Sequence, residues 1–400
     1  MALNKELEQI TEADLKELIA SRIEERRDLD YKLMLPADSD KGGKDFVADV
    51  SSFANTAGGH LIYGMREEKG EAVELVGMEG DADREKLRLE NRIRDGIEPR
   101  IPGLHSFVVK LENSKWALVI RIPKSFLSPH MVTLGGRSKF YARMSNGLYE
   151  LKVDQIRLAF LNSESVASKI RQFRADRIAN IRARETPIPL PAGPVIVLHV
   201  LPLNAFDSRF HASVLGLSDN HGIHVTLAPM YSQCADRKRI NLDGVLVSQI
   251  KERDGTAWGY TQLYFNGIIE SVDTSFLHYV GPVEQFSNLI PSVDFEAGLI
   301  SCVQRFFGVA NSLGVEPPVV LMLSLLDVRG YRMASGANFY FGQSNSFDRD
   351  VLIIPEIVVE SLKINAGKTL KPILDSVWNA AGRRESPYYD ANGEWVGQRR

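Results

Sequence analysis

Apolar positions in the first third of the chain recur at two periods. Phe46, Val47, Val50, Phe53 and Ala54 fall three and four apart, the spacing of a helix over Lys44–Ala54 with one buried face. Gly58-Gly59 stops that helix, and His60–Met65 reads as a short buried strand. Upstream, Thr11-Glu-Ala-Asp14 is a helix-opening cap before an amphipathic run that ends near Ile23, and Asp28–Leu35 reads as a strand. Downstream, Asp83–Gly96 is a charged surface helix. Phe107–Leu111 and Trp116–Ile122 flank Asn113-Ser114 as a hairpin, Phe140–Arg143 is a strand, and Val153–Leu161 opens a closing helix. The pattern predicts a mixed α/β (α+β) domain whose strands pair mainly in hairpins.

Beyond it, Val195–Leu201 begins a second α/β domain. Tyr260–Phe265 and Ile268–Val272 surround Asn266-Gly267, the strongest hairpin signal in the chain. Phe295–Leu313 is an amphipathic helix, and Val319–Leu326 and Val351–Ile354 are buried strands. Thr186–Pro194 holds four prolines in nine residues and reads as a stiff connector. The expected organisation is a domain over 1–163, a basic helix over 164–185, a Pro-rich linker over 186–194, a second domain over 195–383 and a mobile tail over 384–400. The second domain carries no motif and is assigned to assembly, sensing or regulation.

Composition narrows the classes. A length of 400 residues favours two cores over one. The longest apolar runs fall far short of the roughly 20 residues that span a bilayer, and the N-terminus lacks a signal-peptide pattern. Cys234 and Cys302 are too few for a disulfide framework or zinc site, which points to the reducing cytoplasm. A net charge of −3 means that any basic surface is local. One such place is 165–184, where Lys169, Arg171, Arg174, Arg177, Arg182 and Arg184 interleave with Ile170, Phe173, Ile178 and Ile181. It is either the solvated face of a packed helix or a ridge that follows a phosphate backbone, with Arg171, Arg174 and Arg177 as its contacts.

Several motifs do not hold. Gly367-Lys368-Thr369 has Leu362 where a phosphate loop needs glycine, which makes ATP binding the weakest functional reading. Gly342-Gln-Ser344 lacks the second glycine of a nucleophile elbow. His221 and His224 lack a ligand pattern around them, and His130 is a turn residue first.

Asp30-Tyr31-Lys32 carries more. On a strand, a period of two puts the Asp30 carboxylate and the Lys32 ammonium on one face. That pairing suits phosphodiester cleavage, with a carboxylate to hold Mg²⁺ or Mn²⁺ and a lysine to meet developing negative charge. Glu25 offers a second carboxylate, and Glu67 or Glu68 lies at the end of the next strand. The competing reading is a surface strand with a salt bridge.

The surroundings bear on that choice. The run Phe53-Ala-Asn-Thr-Ala-Gly-Gly-His-Leu-Ile-Tyr-Gly64 resembles the helix–turn–strand signature of AlbA_2 domains, prokaryotic relatives of the Schlafen core. Glu25-x4-Asp30-x-Lys32 is similar to that family's Glu-x4-Glu-x-Lys element. Ile122-Pro-Lys-Ser125 with Pro129-His130, and Phe140-Tyr-Ala-Arg143-Met-Ser-Asn-Gly147, resemble two further elements in order. The likeness spans roughly Ala20 to Ser163. It implies nucleic-acid binding and, in nuclease members, divalent-metal-dependent endoribonuclease action on structured RNA such as tRNA, as in a defence or stress effector. Residue by residue, Glu25, Asp30 and Glu67 match the acids that would hold metal, and Lys32 the adjacent lysine. Asp30 stands where Glu is usual, and Glu67 where Asp is usual. The alternative is a non-catalytic DNA- or RNA-binding transcriptional regulator. Asn55 is expected to cap its helix, and Arg143 to bind phosphate or form a core salt bridge. The family joins two lobes around a groove, so the single lobe here implies pairing of two chains.

Overall fold

A computed structural model describes residues 7–397 except 126, 145–146, 207–211, 219–221, 252–254, 279–287 and 335–344. The chain divides into Met1–Ser168 and Lys169–Arg400.

In the first unit, strands β1 (Leu29–Lys32), β2 (Gly59–Tyr63), β7 (Trp116–Ile122) and β6 (His105–Lys110) form one sheet in the order β1-β2-β7-β6. Helix α1 (Glu12–Ala20) precedes it, and α2 (Asp40–Ala54) joins β1 to β2, which run parallel. In this sheet only β6–β7 is a hairpin, since β1–β2 is a βαβ step and β2–β7 joins strands distant in the chain, so the hairpin expectation holds at one edge and not across the sheet. The β3–β4 hairpin (Met65–Glu68, Glu71–Leu75) and helix α3 (Ala82–Gly96) follow β2. A second sheet has the order β10-β9-β8-β5: Gly147–Glu150, Lys139–Met144, Met131–Val132 and Ile97–Glu98.

The period of two sorts the first sheet into two apolar layers. Leu29, Tyr31, Ile62, Ala117 and Val119 pack with Leu15 and Leu18 of α1. Leu61, Tyr63, Leu118 and Ile120 pack with Phe46, Val50 and Phe53 of α2. Leu29 and Tyr31 thus turn to the α1 layer, leaving Asp30 and Lys32 on the opposite side.

The second unit is built on an eight-stranded sheet. Its order is β12 (Arg237–Ile240), β13 (Gly244–Ile250), β14 (Ala257–Tyr264), β15 (Ile269–Asp273), β11 (Val195–Pro202), β17 (Val319–Leu326) and β19 (Val351–Ile353), with β20 (Ile357–Val359) also on β17. The hairpin at Asn266-Gly267 and the strand Val319–Leu326 form where the pattern places them. Short helices α5 (Val214–Ser218) and α6 (Ile223–Thr226) join the core, as do two long ones, α7 (Ser292–Ser312) and α8 (Ala366–Ala380). Strands β16 (Leu289–Pro291) and β18 (Arg332–Ala334) make a parallel pair.

Three boundaries differ from the sequence expectation. Helix α4 runs unbroken over Val153–Arg182, and the unit boundary falls inside it. The Pro-rich run 186–194 is therefore not an interdomain linker: Ile188 and Leu190 pack beside Ile178, Ile181 and Val197. The segment after Arg383 is anchored, because Ser386, Tyr388 and Tyr389 are buried. The Trp395 indole also donates to Glu296 Oε2 at 2.8 Å. An aromatic-rich tail with a buried acid to receive it orders itself in a way that its turn-forming residues do not reveal.

Candidate nucleic-acid interface

Lys32 ends β1 with its ammonium 2.7 Å from Asp30 Oδ1, as the strand period requires. The Lys32 side chain is 40% exposed and that of Asp30 only 3%. The other Asp30 oxygen, Oδ2, accepts from the Arg143 guanidinium on β9. Arg143 is itself buried, lies 4.3 Å above the Phe53 ring and reaches Asp49 at 3.5 Å.

Glu25 lies just before the strand, and its Oε1 accepts from the Tyr31 amide at 2.8 Å. Burial, reinforced by its hydrogen bond with Asp30, raises the Glu25 carboxyl to about 7. Burial would also raise Asp30, but the hydrogen bond from Glu25 and the charges of Arg143 and Lys32 hold it below the usual range. Near neutral pH Glu25 is therefore only partly ionised, whereas Asp30 beside it stays ionised. Asp49 is pushed up to about 6 by burial and by the nearby Asp30 charge.

Glu67 does not join this group. Its Oε2 accepts from the Gly70 amide at 2.7 Å and so closes the turn of its own hairpin. Glu68 is exposed on the same hairpin. The member that sequence reasoning missed is Asp49. Its signal was an acid four residues before Phe53, on the otherwise apolar stripe of α2.

The donors do not suit a divalent cation in this arrangement. Lys32 and Arg143 take both Asp30 oxygens, the raised Glu25 carboxyl is only partly ionised near neutral pH, and Glu67 is engaged by the Gly70 amide. Among the described residues no three His, Cys, Asp or Glu side chains gather closely enough to hold a metal ion.

The Asn55–Gly59 turn locks the site. Asn55 caps α2 as expected, and its side chain is also a clamp: it donates to the His130 and Tyr141 carbonyls at 3.0 and 2.9 Å and accepts from the His130 amide at 2.7 Å. Gly59 has φ +150°, and a Cβ there would lie 2.2 Å from the Asp28 carbonyl oxygen. Only glycine allows β2 to start so close to the chain entering β1. His130 is fully buried with Nδ1 2.7 Å from the Pro99 carbonyl, a structural position with no open face.

The basic helix resolves into core struts. Arg174 is buried and binds the Ile354 carbonyl and Glu356. Arg177 makes two hydrogen bonds to Glu270, a carboxylate that also meets His199 and the Tyr260 hydroxyl. Burial works against that charge, yet hydrogen bonds from His199 and Arg177 hold Glu270 down at about 2. Arg174 and Arg177 are therefore unavailable to phosphate, whereas Arg171 is exposed. Gly367-Lys368 opens α8 with the Lys368 amide capped by Asn365 and its ammonium 3.3 Å from Glu394, so no phosphate cradle forms. His221 and Gly342–Ser344 lie outside the described residues. No described helix is long and apolar enough to cross a membrane.

Residues 25–152 match the family model described as Schlafen, AlbA_2. Over that stretch the first unit is similar to AlbA_2 domains, and a further α/β region follows it. No curated protein matches the chain. Two solved structures show partial likeness. The DIP2311 protein from Corynebacterium diphtheriae is 18% identical with a TM-score of 0.25, over 35% of this chain and 29% of that one. The N-terminal domain of a protein described as related to the ATP-dependent DNA helicase RecG, from Nitrosomonas europaea, is 22% identical with a TM-score of 0.23, over 29% of this chain and 75% of that one.

Proposed function

We propose that the first unit binds nucleic acid through exposed cations and does not cut it. One observation carries the reading: at the end of β1 the lysine faces solvent while its carboxylate partner is inside, neutralised by Lys32 and Arg143. What meets a ligand there is positive charge, next to the exposed side chains of Leu33 and Met34. Phosphate supplies the complementary charge and an unstacked base the apolar contact. Two copies pair to complete the binding groove. The test is anisotropy of labelled RNA and DNA with the full chain across a salt series. Affinity falls with salt, and Lys32→Ala weakens binding and lowers the salt slope by about one. Binding indifferent to salt and to Lys32 contradicts the reading.

A second reading is Mg²⁺- or Mn²⁺-dependent endoribonuclease action on structured RNA such as tRNA. It is favoured by the placement of two carboxyl groups, Glu25 and Asp30, at the strand that carries Lys32. It requires Arg143 to release Asp30 and Glu25 to lose its proton.

A further inference from the structure

Eighteen large apolar side chains stand exposed among the described residues, and six of them fall between positions 144 and 161. They are Met144, Leu148, Val153, Leu158, Phe160 and Leu161, with Val153 71% and Leu158 59% exposed. Elsewhere among the described residues such side chains come one or two at a time, whereas here Val153, Phe160 and Leu161 share one face of a helix. The helical part of this patch is the start of α4, in which the first buried residue is Ile170. Phe160 is steadied from below by an edge-on contact with Phe140, ring centroids 6.0 Å apart. The patch is therefore held by the first unit and is not a frayed end.

We propose that a second copy of this chain covers it, with the two α4 helices antiparallel about a two-fold axis between Phe160 and Leu161. A two-fold interface must be self-complementary: if residue i meets j, then j meets i. Arg157 and Glu164, both exposed, stand three residues to either side of that pair. Antiparallel crossing sets Arg157 of each copy against Glu164 of the other, twice, with Phe160 and Leu161 at the centre. A parallel crossing sets Arg157 beside Arg157 and Glu164 beside Glu164. An apolar centre with a charged rim is the usual make-up of a stable interface. The inference deepens the pairing of copies proposed above by naming its surface, and its readout is mass, independent of whether nucleic acid is bound.

The experiment is size-exclusion chromatography with light scattering on the full chain over a concentration series, with circular dichroism confirming that each variant is folded. The expected result is a dimer. Arg157→Glu and Glu164→Arg each weaken it by about tenfold or more in Kd, the combined swap restores it, and Leu161→Glu leaves a folded monomer. A wild-type monomer at every concentration overturns the proposal, and so does a dimer indifferent to the single swaps. A dimer broken by both single swaps but not rescued by the double overturns the antiparallel register. If Leu161→Glu instead abolishes oligonucleotide binding by a chain already monomeric, the patch serves nucleic acid and the proposal fails.

Discussion

Arg143 and Asp30, 113 residues apart, form a buried ion pair that ties the second sheet of the first unit to the edge strand of the first sheet. Helix α2 lies between them and supplies Phe53 beneath the guanidinium and Asp49 beside it. A buried pair of this kind is costly to break from one side, because the remaining charge stays out of water. Arg143→Met is expected to lower stability by about 3–5 kcal/mol, read from urea unfolding. The double variant Asp30→Leu, Arg143→Met recovers most of that loss. Equal loss in the single and double variants contradicts this account of the pair.

The acids beside that pair set a pH dependence. A carboxyl whose folded pKa lies above its ordinary value stabilises the fold while protonated. For Glu25 that contribution is complete below 4.5 and is lost as pH rises through about 7. Asp49 acts in the same direction, between 3.8 and about 6. Asp30, with its pKa lowered, works oppositely and loses its contribution only in acid, below 3.8. The urea midpoint of the first unit's transition should therefore fall from about pH 5 to about pH 7.5, and Glu25→Gln should flatten that fall. A wild-type midpoint that rises over this range contradicts the raised Glu25 carboxyl.

Much of this was legible in the chain, and the gaps have physical causes. The alternation Leu29–Lys32 placed Asp30 and Lys32 together, and the stripe Phe46–Ala54 gave α2 its buried face. Strand period says nothing about which face is covered, so a lysine–acid pair that reads as surface chemistry proved to have its acid sealed in. Glu67 is held locally: a glutamate three residues before a turn glycine accepts from that glycine's amide, even with Glu25 bonded to the same glycine's carbonyl. The arginines of α4 carried too little information, since a cation every three or four residues suits a solvated ridge as well as a helix lying on buried Glu270. The tail differs from expectation because turn residues suggest mobility, whereas its Ser386 hydroxyl and Trp395 indole reach Glu296, a residue far away in sequence.

Arg177 and Arg174 offer a direct contrast with Lys32. Arg177→Ala leaves Glu270 buried with one partner fewer and should destabilise the second unit by about 3–5 kcal/mol. It should leave oligonucleotide affinity and salt slope unchanged, as should Arg174→Ala. A loss of affinity at unchanged stability returns these residues to the binding surface.

Asn55 holds the end of α2 to the second sheet by three hydrogen bonds. Asn55→Ala strands buried backbone groups on His130 and Tyr141, each worth about 1–3 kcal/mol. Amide exchange should therefore accelerate first around 130–132 and 139–143. Exchange unchanged there, with faster exchange confined to the end of α2, fits a simple helix cap instead.

The central claim is that the first unit holds nucleic acid without cutting it. The direct measurement is incubation of the full chain with a tRNA pool and with plasmid DNA, in Mg²⁺, in Mn²⁺ and in EDTA, beside an Asp30→Ala variant. Intact substrates in every lane, with a salt-sensitive shift by the wild-type chain, is the predicted result. Metal-dependent cleavage by the wild-type chain that disappears in Asp30→Ala contradicts it.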